Sequence, residues 1–179
     1  SKAPEMMLIK NRTKGSGEGW TVYHQFVASD PETDQLSLNS TAAAWDAVEA
    51  WNDTAPTATL FYVDNDDRTN DESETFIAYC FHSVDGYSKM GTYEGNADDD
   101  GTFVYLGFSP AWIMVKRTSS SSTYTSWVIN DSKRKTLNSD TGTLSYPLYA
   151  NNSCAEGERG NGTTDISGNA VAIDFLSNG

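Results

Sequence analysis

The sequence predicts an all-β protein, a jelly-roll-like β-sandwich built from two homologous halves, with at most one short helix. Three observations carry that expectation. The longest apolar run lies in residues 101–117, and its core is duplicated near the start: residues 110–116 (PAWIMVK) fall on residues 4–10 (PEMMLIK) without a gap. Each copy is followed by a polar loop and a short aromatic strand, residues 20–24 in one and 127–131 in the other, and then by a third match of residues 36–43 with 148–155. A repeat of this length is a duplicated module rather than one turn of a solenoid. The composition agrees, with hydrophobic residues at 37%, aromatics at 12%, and Asn, Ser, Thr and Gly abundant, as expected for short strands joined by polar turns.

Taken in order, residues 6–10 are an apolar run ending in Lys-Asn-Arg, the pattern of a strand buried on both faces that emerges into a charged turn. Residues 13–19 (TKGSGEG) are a hairpin loop, and residues 20–26 alternate as a strand. Residues 29–34 are turn material before a short strand at 35–39. Residues 41–52 (TAAAWDAVEAWN) are the one helical segment, capped by Ser40 or Thr41 and two or three turns long at most. Residues 59–63 return as a strand, an acidic loop fills 64–74, and residues 76–81 (FIAYCF) form a core strand. Residues 86–93 alternate into a second acidic turn at 96–101, where the duplicated pattern restarts.

The second copy runs through a Ser-rich loop at 118–125, a strand at 126–130, a basic patch at 133–135, a strand at 146–150 and a Gly/Asn-rich loop at 156–169. The two repeats are therefore expected at 1–85, without its opening strands, and 86–179, without an equivalent of the closing strand 76–81. A sheet left open in this way exposes unpaired backbone groups, so the second repeat is expected to be completed by more chain or by a neighbouring subunit.

The formal charge of -13, from 12 Lys+Arg against 25 Asp+Glu, repels phosphate backbones and anionic lipid, so nucleic acid is not an expected partner. No apolar run approaches a membrane span and residues 1–4 are no signal peptide, so membrane insertion is not expected and the class is a soluble extracellular or virion protein. Cys80 and Cys154 are too few for a disulfide framework and read as free, with Cys80 a buried small hydrophobe.

Catalytic signatures are missing: there is no His-Glu-x-x-His, no phosphate loop and no Gly-x-Ser-x-Gly. Glu72 and Glu74 have the alternate spacing of a retaining glycosidase but sit in a loop, so no catalytic residues and no obligatory cofactor are assigned. The acidic turns could hold calcium through Asp64, Asp66, Asp67 and Asp71, or through Asp98, Asp99 and Asp100, although neither keeps the full calcium-loop register. Trp51, Asn52 and Asp53 put a flat aromatic face beside polar groups, the residue types a pyranose ring needs; the competing reading makes Trp51 a core plug.

The segments 4–12 (PEMMLIKNR), 20–24 (WTVYH), 38–41 (LNST), 51–56 (WNDTAP), 79–81 (YCF), 86–89 (GYSK), 93–96 (YEGN), 110–117 and 174–179 (DFLSNG) resemble a repeated module of unknown function in tail and other virion proteins of marine tailed phages. The resemblance spans essentially the whole chain and brings no catalytic residues with it. It implies a lectin- or glucanase-like sandwich, tandem repetition in a virion, and other virion subunits or copies of itself as partners. The function expected on this basis is a non-enzymatic structural and adhesion protein that contacts host-surface glycans. The competing class is a free extracellular lectin or carbohydrate-active enzyme with a calcium site. The acidic loops and residues 156–169 depart from the module, which is usually shorter and less charged there.

Overall fold

The strand β1 (Met6–Asn11) is central because both of its edges are paired and both of its faces are covered. The structure, a computed structural model, describes residues 1–15, 17–98, 101–120, 125–131 and 147–154. β2 (Trp20–His24) pairs antiparallel with β1 on one edge, from Met6 opposite His24 to Lys10 opposite Trp20. β3 (Asp34–Ser37) and β4 (Trp45–Asp46) continue outward from β2, and β5 (Phe76–Phe81) comes back to the other edge of β1. The resulting order, β4-β3-β2-β1-β5, contains a Greek-key return, the connection from which jelly rolls are built. β6 (Trp112–Val115), β7 (Val128–Asp131) and β8 (Leu148–Tyr149) form a second antiparallel sheet in sequence order. The fold is all-β.

Strand alternation sorts the apolar residues of the first sheet onto two faces. Met7, Ile9 and Tyr23 point one way, into a cluster closed by Ala47, Ala50 and Trp51 with Trp45, Val63 and Phe76 at its margin. Met6, Val22 and Leu36 point the other way and meet Trp127 and Met114 of the second sheet. The second sheet thus meets the first through Met114 and through Trp127, just before β7, whose Nε1 donates to Ser37 O at 2.8 Å.

The pairings follow the sequence matches. Met6 opposite His24 falls on Trp112 opposite Asp131, and Leu8 opposite Val22 falls on Met114 opposite Ile129. Val22 opposite Leu36 falls in the same way on Ile129 opposite Leu148. Turn chemistry corresponds as well. Asn39 Oδ1 accepts from Trp20 N at 2.8 Å, and its counterpart Asn151 accepts from Trp127 N at 2.7 Å. Beyond each cap, Ser40 Oγ accepts from Ala42 N and Asn152 Oδ1 accepts from Cys154 N, both at 3.0 Å.

Several elements differ from expectation. The predicted helix over 41–52 shrinks to α1 (Val48–Trp51), because Trp45 and Asp46 pair with β3 instead. A second single turn, α2 (Asp67–Asn70), stands inside the acidic loop, nucleated by Asp66, whose side chain accepts from Arg68 N; there are two short helices among the described residues where one at most was expected. The apolar run 59–63 is not a strand, since without a neighbouring edge to take its hydrogen bonds it gains nothing from extension. Residues 86–93 contribute only the isolated bridge of Val84 with Ser88. Both cysteines are free, and Cys80 is exposed rather than buried because β5 lies at the edge of its sheet. The basic patch 133–135, the start of the strand predicted from Tyr146, and the segments 156–169 and 171–179 lie outside the described residues.

Candidate functional site

The structure separates Trp51, Asn52 and Asp53. Trp51 closes α1 with its ring inside the core, 1% exposed, edge-on to Tyr23 at 5.6 Å and with Nε1 donating to Asp34 O at 3.0 Å. An enclosed ring has no face to offer a sugar, so Trp51 is corrected to the packing role. Asn52 and Asp53 follow in the left-handed region (φ 52° and 43°), which suits Asn at a helix end, and they stay at the surface.

The acidic turn is organised around protein cations. Asp66 takes hydrogen bonds from Arg68 Nε at 3.0 Å and Nη2 at 2.6 Å, besides the backbone N–H of Arg68 at 2.7 Å. Burial pushes its carboxyl up, but these bonds outweigh burial and hold it below the usual carboxylate range. Arg68 lies over the Trp45 ring at 5.7 Å, and with its amide oriented to suit its neighbours Gln35 Oε1 accepts from Arg68 Nη2 at 2.9 Å and Trp45 Nε1 at 3.1 Å. Lys14 Nζ sits between Asp67 at 2.6 Å and Asp71 at 2.7 Å, which raises its pKa, and Lys14 in turn lowers that of Asp71.

An open cleft of about 430 Å³ borders this turn, lined by Glu18, Glu49, Asn65, Asp66, Asp67 and Arg68. Asp64 is exposed on the same turn. Among the described residues no three His, Cys, Asp or Glu side chains converge as metal ligands. Asp98 lies in the second acidic turn, where its N–H donates to Asn96 Oδ1 at 3.2 Å; Asp99 and Asp100 lie outside the described residues. Glu74 takes a bond from Thr13 Oγ1, and Ser73 between Glu72 and Glu74 is at φ 67°.

A different surface stands out for its aromatics. Tyr87 is 81% exposed at the tip of a turn that closes with Tyr87 N donating to Val84 O at 2.9 Å, and Gly86 supplies the positive φ of 73° that the turn needs. The turn is fastened from behind. Ser88 Oγ donates to His82 O at 2.9 Å, Met90 N donates to Ser83 Oγ at 3.0 Å, and Ser83 N donates to Glu5 Oε2, just before β1, at 2.9 Å. Phe103 and Tyr105, at 74% and 76% exposed, add two further aromatic faces. Sequence reading passed over Tyr87, although Asp85-Gly86 after a strong strand is a turn signal that could have marked it.

The whole chain, residues 1–179, matches the family described as Domain of unknown function (DUF7483). The chain belongs to that family. No curated protein and no solved structure matches it. The geometry of the DUF7483 chain offers a cation-neutralised acidic turn and a buttressed aromatic one.

Proposed function

We propose that this DUF7483 chain is a non-catalytic structural and adhesive component of a tailed-phage particle, displayed on the virion exterior and contacting host-surface glycans through Tyr87. The observation that carries the adhesive part is an 81% exposed aromatic ring on a turn fastened by hydrogen bonds to His82 and, through Ser83, to Glu5 just before β1. A fixed aromatic face costs little entropy to engage, and the phenol hydroxyl at its tip can meet sugar hydroxyls. The virion part is supported by the resemblance of residues 4–12, 20–24 and 110–117 to tandem virion modules and by paired register in the two sheets, which we interpret as two copies of one module. Copies of itself or other virion subunits are then its partners. The acidic turn supports a structural role because Lys14 and Arg68 occupy its carboxylates.

Binding of the intact chain to an array of bacterial surface polysaccharides tests the reading, with Tyr87→Ala as the control. Retained binding by Tyr87→Ala, or release of reducing sugar from any bound glycan, would overturn it. Loss of binding of about tenfold or more is the expected result.

A further inference from the structure

At the end of the first sheet where β1 begins and β2 finishes, a cleft of about 280 Å³ opens between four segments of chain. Pro4, Pro31 and Pro56, with Ala3 and Ala55, line it with apolar surface, and Tyr23, Gln25 and Ser29 add the polar groups. The walls are fixed in place. Gln25 N donates to Glu5 O and Glu5 N to Phe81 O, both at 2.8 Å; Pro31 opens a turn closed by Thr33 N on Asp30 O at 3.0 Å; and Pro56 leads into one closed by Thr57 N on Leu60 O at 2.7 Å. Proline rings lock φ, so the cleft is formed before anything enters it and little ordering is needed on binding.

Tyr23 gives the cleft its chemistry. Its ring stands in the core against Trp51, 2% exposed, yet its hydroxyl makes no hydrogen bond among the described residues. No buried side-chain N or O among those residues lacks a partner, so this hydroxyl is not sealed in; it is where the residue meets the cleft. A polar group that is nearly dry and unpaired gains more from a ligand than one already in water. Burial first, and then Glu32, push the Tyr23 pKa up, so the hydroxyl keeps its proton and acts as a donor at neutral pH. Gln25 beside it has a carboxamide that makes no hydrogen bond among the described residues and offers both donor and acceptor. None of the lining side chains is charged at neutral pH, while Asp30 and Glu32 flank Pro31 in a chain of net charge -13, so an anionic ligand is turned away.

We infer that this cleft is a binding site for one uncharged N-acetylated amino-sugar residue, held by its acetamido group. The acetamido carbonyl accepts from the Tyr23 hydroxyl, its N–H donates to Gln25 Oε1, and its methyl lies against the proline walls. A plain hexose has no apolar substituent for those walls, and an acidic sugar carries the wrong charge. The volume is just below the range of about 300–1,000 Å³ usual for drug-sized ligands and so suits one ring rather than a chain. The described ends from which residues 132–146 and 155–179 run, Asp131 and Cys154, belong to the second sheet and its exit, and that sheet meets the first on the Met6, Val22 and Leu36 face, opposite the face of Tyr23. The place fits the function proposed above. Glu5, next to the Ala3–Pro4 wall, is the residue whose carboxylate holds Ser83 behind the Tyr87 turn, so the cleft and that turn lie at the same end of the first sheet. The site deepens the glycan side of that reading by naming a sugar class and a second contact, and it stands on the Tyr23 cleft without needing Tyr87.

The test is a titration of the intact chain with the methyl β-glycoside of N-acetylglucosamine, followed by saturation-transfer and amide NMR. The expected result is a Kd on the order of 1 mM, saturation passed most strongly to the acetyl methyl, and shifts of the Gln25 and Ala55 amides. Tyr23→Phe removes only the hydroxyl; it weakens binding about tenfold or more and leaves the unfolding midpoint in urea unchanged. Ala55→Tyr, at an exposed position, fills the mouth and abolishes binding. No saturation by about 50 mM, equal binding of methyl β-glucoside, tighter binding of N-acetylneuraminic acid or of a proline-rich peptide, or a destabilised Tyr23→Phe would each overturn the site. So would nuclear Overhauser contacts that show the cleft filled by the chain's own residues 132–146 or 155–179. An affinity of this size does not by itself hold a polysaccharide on an array, so Tyr87→Ala lowers array binding and leaves the monosaccharide titration unchanged. Array binding that depends on Tyr87, with no monosaccharide binding by the wild type, would sink the cleft alone.

Discussion

The hairpins β1–β2 and β6–β7 share a register and an Asn-capped exit, yet they live in different surroundings. β1 has strands on both edges and apolar groups on both faces; among the described residues β6 has one strand beside it. The tryptophans that open the second strands diverge accordingly. Trp127 is buried at the sheet junction with its N–H on Ser37 O, while Trp20 stays partly exposed and tilts over Tyr79 at 6.1 Å. Register is thus set locally, by which residues alternate and where the turn caps fall, whereas burial is set by what the rest of the chain lays against the hairpin.

Six substitutions break or sharpen that contrast. The largest effect is expected from Trp51→Ala, which empties the centre of the cluster under β1 and should cost roughly 3–5 kcal/mol in urea unfolding. Trp112→Ala, on the half-open strand, should cost less than about 1 kcal/mol, and similar losses for the two would erase the distinction between the sheets. Arg68→Met leaves the buried Asp66 carboxylate without its partner and should cost roughly 2 kcal/mol at neutral pH. Since the folded pKa of Asp66 is held below 3.8, its contribution is present above that value and lost as pH falls further; the variant's deficit should shrink in acid, and a pH-independent deficit would remove the ion pair from the account.

Asn39→Ala and Asn151→Ala each remove one acceptor for a tryptophan backbone N–H and should each cost about 1 kcal/mol. Equal losses sharpen the correspondence of the turns, and a neutral change at either one breaks it. The smallest effect concerns His24, whose Nδ1 accepts from Phe26 N and whose pKa burial lowers from 6.5 against a weaker opposite pull from Glu5. Stability from the neutral ring is full above 6.5 and declines as pH falls through the folded value, so His24→Gln should flatten the stability profile below 6.5, as chemical denaturation at stepped pH would show.

The strands at 6–10, 20–24, 35–39, 76–81 and 112–115 were legible because alternation or unbroken apolar character is a property of neighbouring residues. What could not be read was set by distant contacts. Nothing near Trp51 announces that Tyr23 and Asp34 will enclose it, and nothing in residues 64–74 names Lys14 as the cation between Asp67 and Asp71. The failed strand prediction at 59–63 has the same origin, since an apolar run states a preference for extension but does not supply the neighbour that stabilises it.

The placement of the indoles gives the chain a built-in optical ruler. Of the five tryptophans, Trp51 reports on the cluster under β1, Trp127 on the contact between sheets and Trp112 on the open edge of β6, each in a different polarity. Emission that shifts to the red in two steps on mild denaturation would time the parting of the sheets separately from the melting of the first one, and quenching by a soluble collider would register Trp112 most strongly at the start. The same rings that close the core therefore make its sequential loosening visible without a label.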